Sequence, residues 1–146
     1  MPHRIRPATP ADVAACARIV HDWERATGYI TDTPPLDVLE TLIAAALPER
    51  DLYVTGDPVD GYLSIDPGLG KIGAIYLENP GQGTGKRLLD LAKHGRDHLW
   101  LTVYLPNTRA QAFYTREGFT RTEEIPTESG RPAMYRMDWH REGPTT

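Results

Sequence analysis

The feature that most limits what this chain can fold into is a glycine-rich turn between an apolar run and an amphipathic one. Ile72-Gly73-Ala74-Ile75-Tyr76-Leu77 reads as a strand, Gly81-Gln82-Gly83-Thr84-Gly85-Lys86 as the turn, and Arg87-Leu88-Leu89-Asp90-Leu91-Ala92-Lys93 as the helix that follows. Without Cβ atoms, successive N–H groups there can face one concavity at a helix N-terminus. Unpaired donors and the positive end of the helix dipole coincide in it, which suits phosphate. Counting rejects two phosphate motifs. A P-loop needs glycine, four residues, then Gly-Lys-Ser/Thr, but here Pro80 fills the first position and Arg87 replaces the hydroxyl. A Gly-x-Gly-x-x-Gly dinucleotide motif fails too, because its third glycine falls on Lys86 or on Leu88.

A second constellation narrows the choice. Leu101-Thr102-Val103-Tyr104-Leu105 reads as a strand that stops at Pro106, and Asn107 is a good N-cap for a short helix. Gly118 sits where a left-handed C-terminal cap is needed, with Phe119 as its apolar partner. The pattern Asn107-x-x-Ala110-x-x-Phe113-Tyr114-x-x-x-Gly118-Phe119, following a Gly83-x-Gly85 helix start, resembles the GNAT superfamily of acyl-CoA-dependent N-acyltransferases.

That resemblance covers roughly residues 4–139 of a single domain spanning 1–146. It implies a mixed α/β fold: a central, mostly antiparallel sheet with one splayed parallel pair and helices on both faces. Ile5 to Asp12 corresponds to the first strand and helix entry, with Thr9 as N-cap, Pro10 at the first helical position and Asp12 in the first turn. Val13, Cys16, Ala17 and Val20 recur at helical spacing, and Thr33-Pro34-Pro35 starts a second helix whose buried face would be Leu36, Leu39, Ile43 and Leu47. Strands follow at Leu52 to Thr55 and Gly61 to Ile65, and the last runs from Met134 to Trp139. One departure stands out: Pro80 occupies the position where the family has Gln or Arg, and the Leu77-to-Gly81 link is about two residues short. Gln82 is the candidate substitute.

Composition bounds the rest. A chain of 146 residues suits one core. It has no apolar run of about 18 residues, and its start Met1-Pro2-His3-Arg4 lacks a signal peptide's apolar stretch. The expectation is a cytoplasmic protein with no membrane partner, and its few lysines with many Ala, Pro and Gly suggest a GC-rich bacterial genome. The lone Cys16 reads as a buried small hydrophobe. Residues 1–73 carry six Lys/Arg against eleven Asp/Glu, and residues 74–146 ten against nine. The half with the glycine turn is thus mildly basic, the overall balance argues against nucleic acid, and the acidic half favours a cationic amine.

The resemblance implies acetyl-CoA as co-substrate and a small-molecule or peptide amine as acceptor, with a homodimer as a candidate assembly. The pantetheine arm would pair with the main chain of Ile75, Tyr76 and Leu77, the pyrophosphate would take Gly81, Gln82, Gly83, Thr84, Gly85 and Lys86, and Asn107 would reach the pantetheine. The Leu77 N–H is the candidate for polarising the thioester carbonyl. Tyr114 is the candidate acid for the departing thiolate, against an alternative in which it only packs. For the base, the strand Glu of histone-type members falls on Lys71, so that route is absent. Glu78 follows the strand directly, while His21, Glu24, Asp32 and Asp37 lie in the acceptor region. Trp23 and Tyr29 with Glu24, Asp32 and Asp37 would form an aromatic wall with carboxylates for a cationic amine, or a loop that merely covers the core. His94 and His98 are four apart, but Gly95 interrupts and no metal is expected. Two alternatives remain open: a non-catalytic acyl-CoA-binding regulatory domain, and a phosphate-binding domain of a nucleotide protein.

Overall fold

The computed structural model describes residues 4–127 and 130–143. Its elements are β1 (Ile5–Pro7), a 3-10 turn (Pro10–Asp12), α1 (Val13–Ala26), α2 (Leu36–Ala46), β2 (Asp51–Thr55), β3 (Gly61–Asp66), β4 (Lys71–Leu77), α3 (Thr84–Lys93), β5 (His98–Tyr104), α4 (Thr108–Arg116), β6 (Thr120–Ile125) and β7 (Met134–His140). The strands form one sheet in the order β1-β2-β3-β4-β5-β7-β6. Every neighbouring pair is antiparallel except β4 with β5.

Alternation along the strands sends side chains to two cores. Leu63, Ile72, Leu99, Leu101 and Val103 pack with Leu88 and Leu89 of α3 and Tyr114 of α4. Tyr62 and Val54 pack instead with Cys16, Ala17 and Val20 of α1 and Leu39 of α2. Adjacent residues Tyr62 and Leu63 thus serve opposite faces, and helices cover both. At the chain's start Asp12 accepts from the Thr9 N–H at 2.8 Å and receives both Arg6 guanidinium nitrogens at 2.8 Å, which closes the turn that launches α1.

Two differences from the sequence reading have local causes. Leu36 is 39% exposed, and Val38 and Leu42 are exposed beside it, because α2 is anchored through Leu39 and Ile43 alone. The strand β6 had no signal: Thr120-Arg121-Thr122-Glu123-Glu124-Ile125 lacks apolar alternation. It lies at the sheet's edge with its side chains mostly exposed, where charge guards an open hydrogen-bonding row.

The sheet opens between β4 and β5. They pair only at Lys71↔Trp100, with the Trp100 N–H donating to the Gly70 carbonyl at 3.1 Å. Immediately afterwards the β3/β4 register slips, from Ile65↔Ile72 to Ser64↔Ala74. Gly73 is the extra residue of that bulge, and a bulge bends its strand and increases its twist. From there β4 and β5 diverge.

Candidate functional site

The divergence leaves a cleft of about 910 Å³ between β4 and β5, running from the glycine turn to Trp23 on α1. One wall is an unpaired strand edge. The Glu78 N–H donates to the Asp60 carbonyl at 2.8 Å, and Tyr76 pairs with Tyr62. Since backbone groups alternate in direction along a strand, Ile75 and Leu77 turn their N–H groups into the cleft. Tyr76 keeps its main chain in the β3 ladder and contributes its ring, which stacks on Tyr62 at 5.6 Å and meets Trp23 edge-on at 5.4 Å.

At one end lies the glycine turn. Gly81 and Gly83 have φ of +93° and +80°, a left-handed geometry that L side chains rarely adopt. Gly83 is the N-cap of α3, and the Arg87 N–H makes the first helical bond to its carbonyl at 3.2 Å. The N–H groups of Thr84, Gly85 and Lys86 therefore precede the helical ladder and supply donors at the positive end of the dipole. Gly81, Gly83, Gly85 and Lys86 border the cleft, whereas Gln82 and Thr84 do not. Gly85 has a packing reason: a Cβ there would lie 3.0 Å from Phe113 Cζ and 3.3 Å from Leu77 Cδ1. Lys86 brings its ammonium within 3.3 Å of Asp90 and 3.5 Å of Glu117, and Asp90 above all holds its pKa above the ordinary value. Arg109 and Arg116 also border the cleft. Sequence reasoning missed them, although two arginines seven apart on one helix share a face.

The other wall comes from β5 and α4. Asn107 caps α4 by accepting the Ala110 N–H on Oδ1 at 3.2 Å, and it borders the cleft. Tyr114, seven residues further on, is buried between Phe113 and Phe119 at ring distances of 5.4 and 5.8 Å and also borders the cleft. Burial pushes its phenol pKa up, so the group stays protonated far into the alkaline range.

The far end is aromatic. Tyr29 meets Trp23 at 6.5 Å and Tyr104 at 5.8 Å. The carboxylates read as a cationic-amine wall are differently employed. Arg131 binds Glu24 at 3.2 Å, Asp32 at 2.9 Å and the Tyr104 hydroxyl at 2.9 Å. Glu24 is buried, not a surface group. Asp37 accepts the Val38 N–H at the start of α2, and His21 sits 3.2 Å from Asp22. Glu78 forms an ion pair with Arg18 of α1 at 2.8 Å. His94 is not brought to His98. Instead His98 Nε2 lies 2.6 Å from Asp138 and its ring stacks on His140 at 4.6 Å. The Asp138 carboxylate is held by Arg136 through both oxygens, at 2.9 and 3.0 Å.

The chain that carries this cleft has many structural relatives. Residues 53–119 match the model of the Acetyltransferase (GNAT) family. The yncA structure from Salmonella typhimurium, with its cofactor acetyl-CoA, superposes with a TM-score of 0.72 at 23% identity, covering 100% of this chain and 98% of that one. An N-acetyltransferase from Staphylococcus aureus Mu50 gives 0.75 at 18% identity, covering 96% and 99%. A ribosomal-protein-alanine N-acetyltransferase from Brucella melitensis gives 0.73 at 20% identity, covering 94% and 99%. At these identities the structures establish the fold, which this chain shares with those acetyltransferases. Among curated proteins none matches the chain in sequence.

Proposed function

We propose, from this fold and from the match of residues 53–119 to the GNAT family model, that the chain is an N-acetyltransferase moving an acetyl group from acetyl-CoA to a primary amine. The observation that carries this reading is the opened β4/β5 edge, where the Ile75 and Leu77 N–H groups face a cleft that the α3 N-terminus closes at one end. The pantetheine arm is amide-bearing and extended, so it complements that edge as an added strand would. The pyrophosphate suits the donors from Gly83 to Lys86, and the cations Lys86, Arg109 and Arg116 border the same end.

The chemistry needs three contributions from the protein. The Leu77 N–H donates to the thioester oxygen and stabilises charge as it develops there. The ammonium of the acceptor loses a proton to Glu78, directly or through water, and its nitrogen lone pair attacks the carbonyl carbon. The new C–N bond forms, the C–S bond breaks, and the Tyr114 phenol protonates the departing thiolate. The proton shed by the acetylated nitrogen restores the phenol, so the products are an amide and free CoA thiol.

The non-catalytic acyl-CoA-binding reading differs in one observable, and release of thiol decides between them. Purified protein with acetyl-CoA and a panel of amines, peptides and amino acids should release CoA thiol with at least one acceptor, in step with acetylated product. Tight acetyl-CoA binding without thiol release from any acceptor would favour the binding domain.

A further inference from the structure

Beside the main cleft, on the α1 face of the sheet, lies a second hollow of about 320 Å³. The two share Trp23, Tyr76, Leu77 and Glu78, and the hollow adds Arg18, Ile19 and Asp22. The hollow thus meets the cleft where Leu77 presents its N–H. Its volume is at the lower limit for small-molecule sites, which suits a small acceptor better than a protein segment.

The charges in this hollow are of both signs. Arg18 and Glu78 form an ion pair 60 residues apart in sequence, with side chains 48% and 41% exposed. Such a pair is weakly held and exchangeable. A polycation entering here would meet the Arg18 guanidinium. The remaining acids offer it little, since Glu24 and Asp32 are both bound by Arg131 and Asp22 sits beside His21. A ligand with one ammonium and one carboxylate replaces the Arg18–Glu78 pair by two new pairs. Its ammonium then sits on the residue next to Leu77, and the Trp23–Tyr76 edge-to-face pair offers its side chain an apolar wall.

We infer that the acceptor is a small amine that also bears a carboxylate, with Arg18 taking the carboxylate and Glu78 the ammonium. The inference rests on the transferase reading above and narrows its acceptor. Arg18 is the specificity-determining residue, and Glu78 both orients the ammonium and receives its proton.

The test compares leucine and phenylalanine with their amides, with the corresponding decarboxylated amines, and with spermidine, by CoA-thiol release from acetyl-CoA. Acetyl-CoA binding is measured in parallel by titration calorimetry. The amides have less basic amines, so chemistry alone would favour them over the acids. The acids should nonetheless show kcat/KM at least 10-fold above every other acceptor. Arg18→Gln should raise the acids' KM about 10-fold or more, leave the KM of acetyl-CoA unchanged and not raise that of the amides, and Arg18→Lys should recover part of the loss. If acetyl-CoA binds but no acid is turned over, or amides, amines or spermidine equal the acids, the acceptor assignment is overturned. It is overturned equally if Arg18→Gln keeps the wild-type preference. Failure of acetyl-CoA to bind at all would instead overturn the transferase reading, and the acceptor assignment with it.

Discussion

At the scale of single residues, the proposed chemistry rests on a few groups whose surroundings fix their protonation. Tyr114 is buried in an apolar setting that raises its pKa, so it holds its proton where an exposed phenol, with an ordinary value near 10, would begin to lose it. Tyr114→Phe keeps the ring and its packing but removes the donor. Turnover should fall about 10²-fold with acetyl-CoA affinity and melting temperature nearly unchanged. Full turnover in that variant across the pH range would show that the ring only packs. Asp12 illustrates the structural counterpart. The Arg6 hydrogen bonds, aided by the Thr9 N–H, hold its carboxyl at about 2 against an ordinary 3.8. A carboxyl more acidic in the folded state adds stability above the unfolded value and loses it as pH falls. The contribution is therefore complete at neutral pH, declines below pH 3.8 and is gone once pH drops through about 2. Asp12→Asn should cost about 1–2 kcal/mol at pH 7, discounted for the half-exposed Arg6. Denaturant titrations of the two proteins should converge in acid.

At the scale of elements, the glycines of one short motif divide their labour. Gly83 needs its left-handed backbone at the head of α3, and a Cβ there would meet no atom within 4 Å. Gly85 needs its missing side chain, because α3 lies close to Phe113 of α4 and Leu77 of β4. Gly85→Ala should lower stability by about 1 kcal/mol, overpacking outweighing the gain in helix propensity. Adding Phe113→Leu should return part of that loss, a coupling that a double-mutant cycle by thermal melts would read. Equal and additive losses would mean that the contact is soft. Much of this level was legible in the sequence. The Asn107 cap and the Gly118–Phe119 end of α4 are local signals, and local signals survive folding. What was not legible depends on distant partners. The Gly73 bulge is defined only against Ser64 and Ile65 of β3. The edge strand β6 has no apolar pattern to show. Glu24 and Asp32 read as free carboxylates until Arg131, about 100 residues away, is seen to bind both.

At the scale of the whole molecule, the proposed function divides two tasks between the faces of the sheet and joins them at the β4/β5 opening. The glycine turn, Lys86 and Tyr114 belong to the α3/α4 side, while Trp23, Arg18 and Tyr29 belong to the α1 side. Donor and acceptor would then meet across the β4/β5 gap in one ternary complex. No acetyl-enzyme is needed, and the single cysteine could not form one: Cys16 is 1% exposed in the α1 core, and burial pushes its thiol up to about 12. Intact-mass spectrometry after incubation with acetyl-CoA alone should show no 42-Da adduct (about one acetyl group), whereas a stoichiometric adduct would indicate a covalent route. If the opened β4/β5 edge with the α3 N-terminus is an acetyl-CoA site, calorimetric titration will read it. Gly83→Asp places a carboxylate at the helix N-terminus, where an added Cβ meets no atom within 4 Å although the left-handed backbone strains any side chain, and circular dichroism can verify that the variant remains folded. A one-to-one isotherm is expected for acetyl-CoA with the wild type, and none with the folded Gly83→Asp variant. Equal binding by both proteins, or no binding by the wild type, would contradict it.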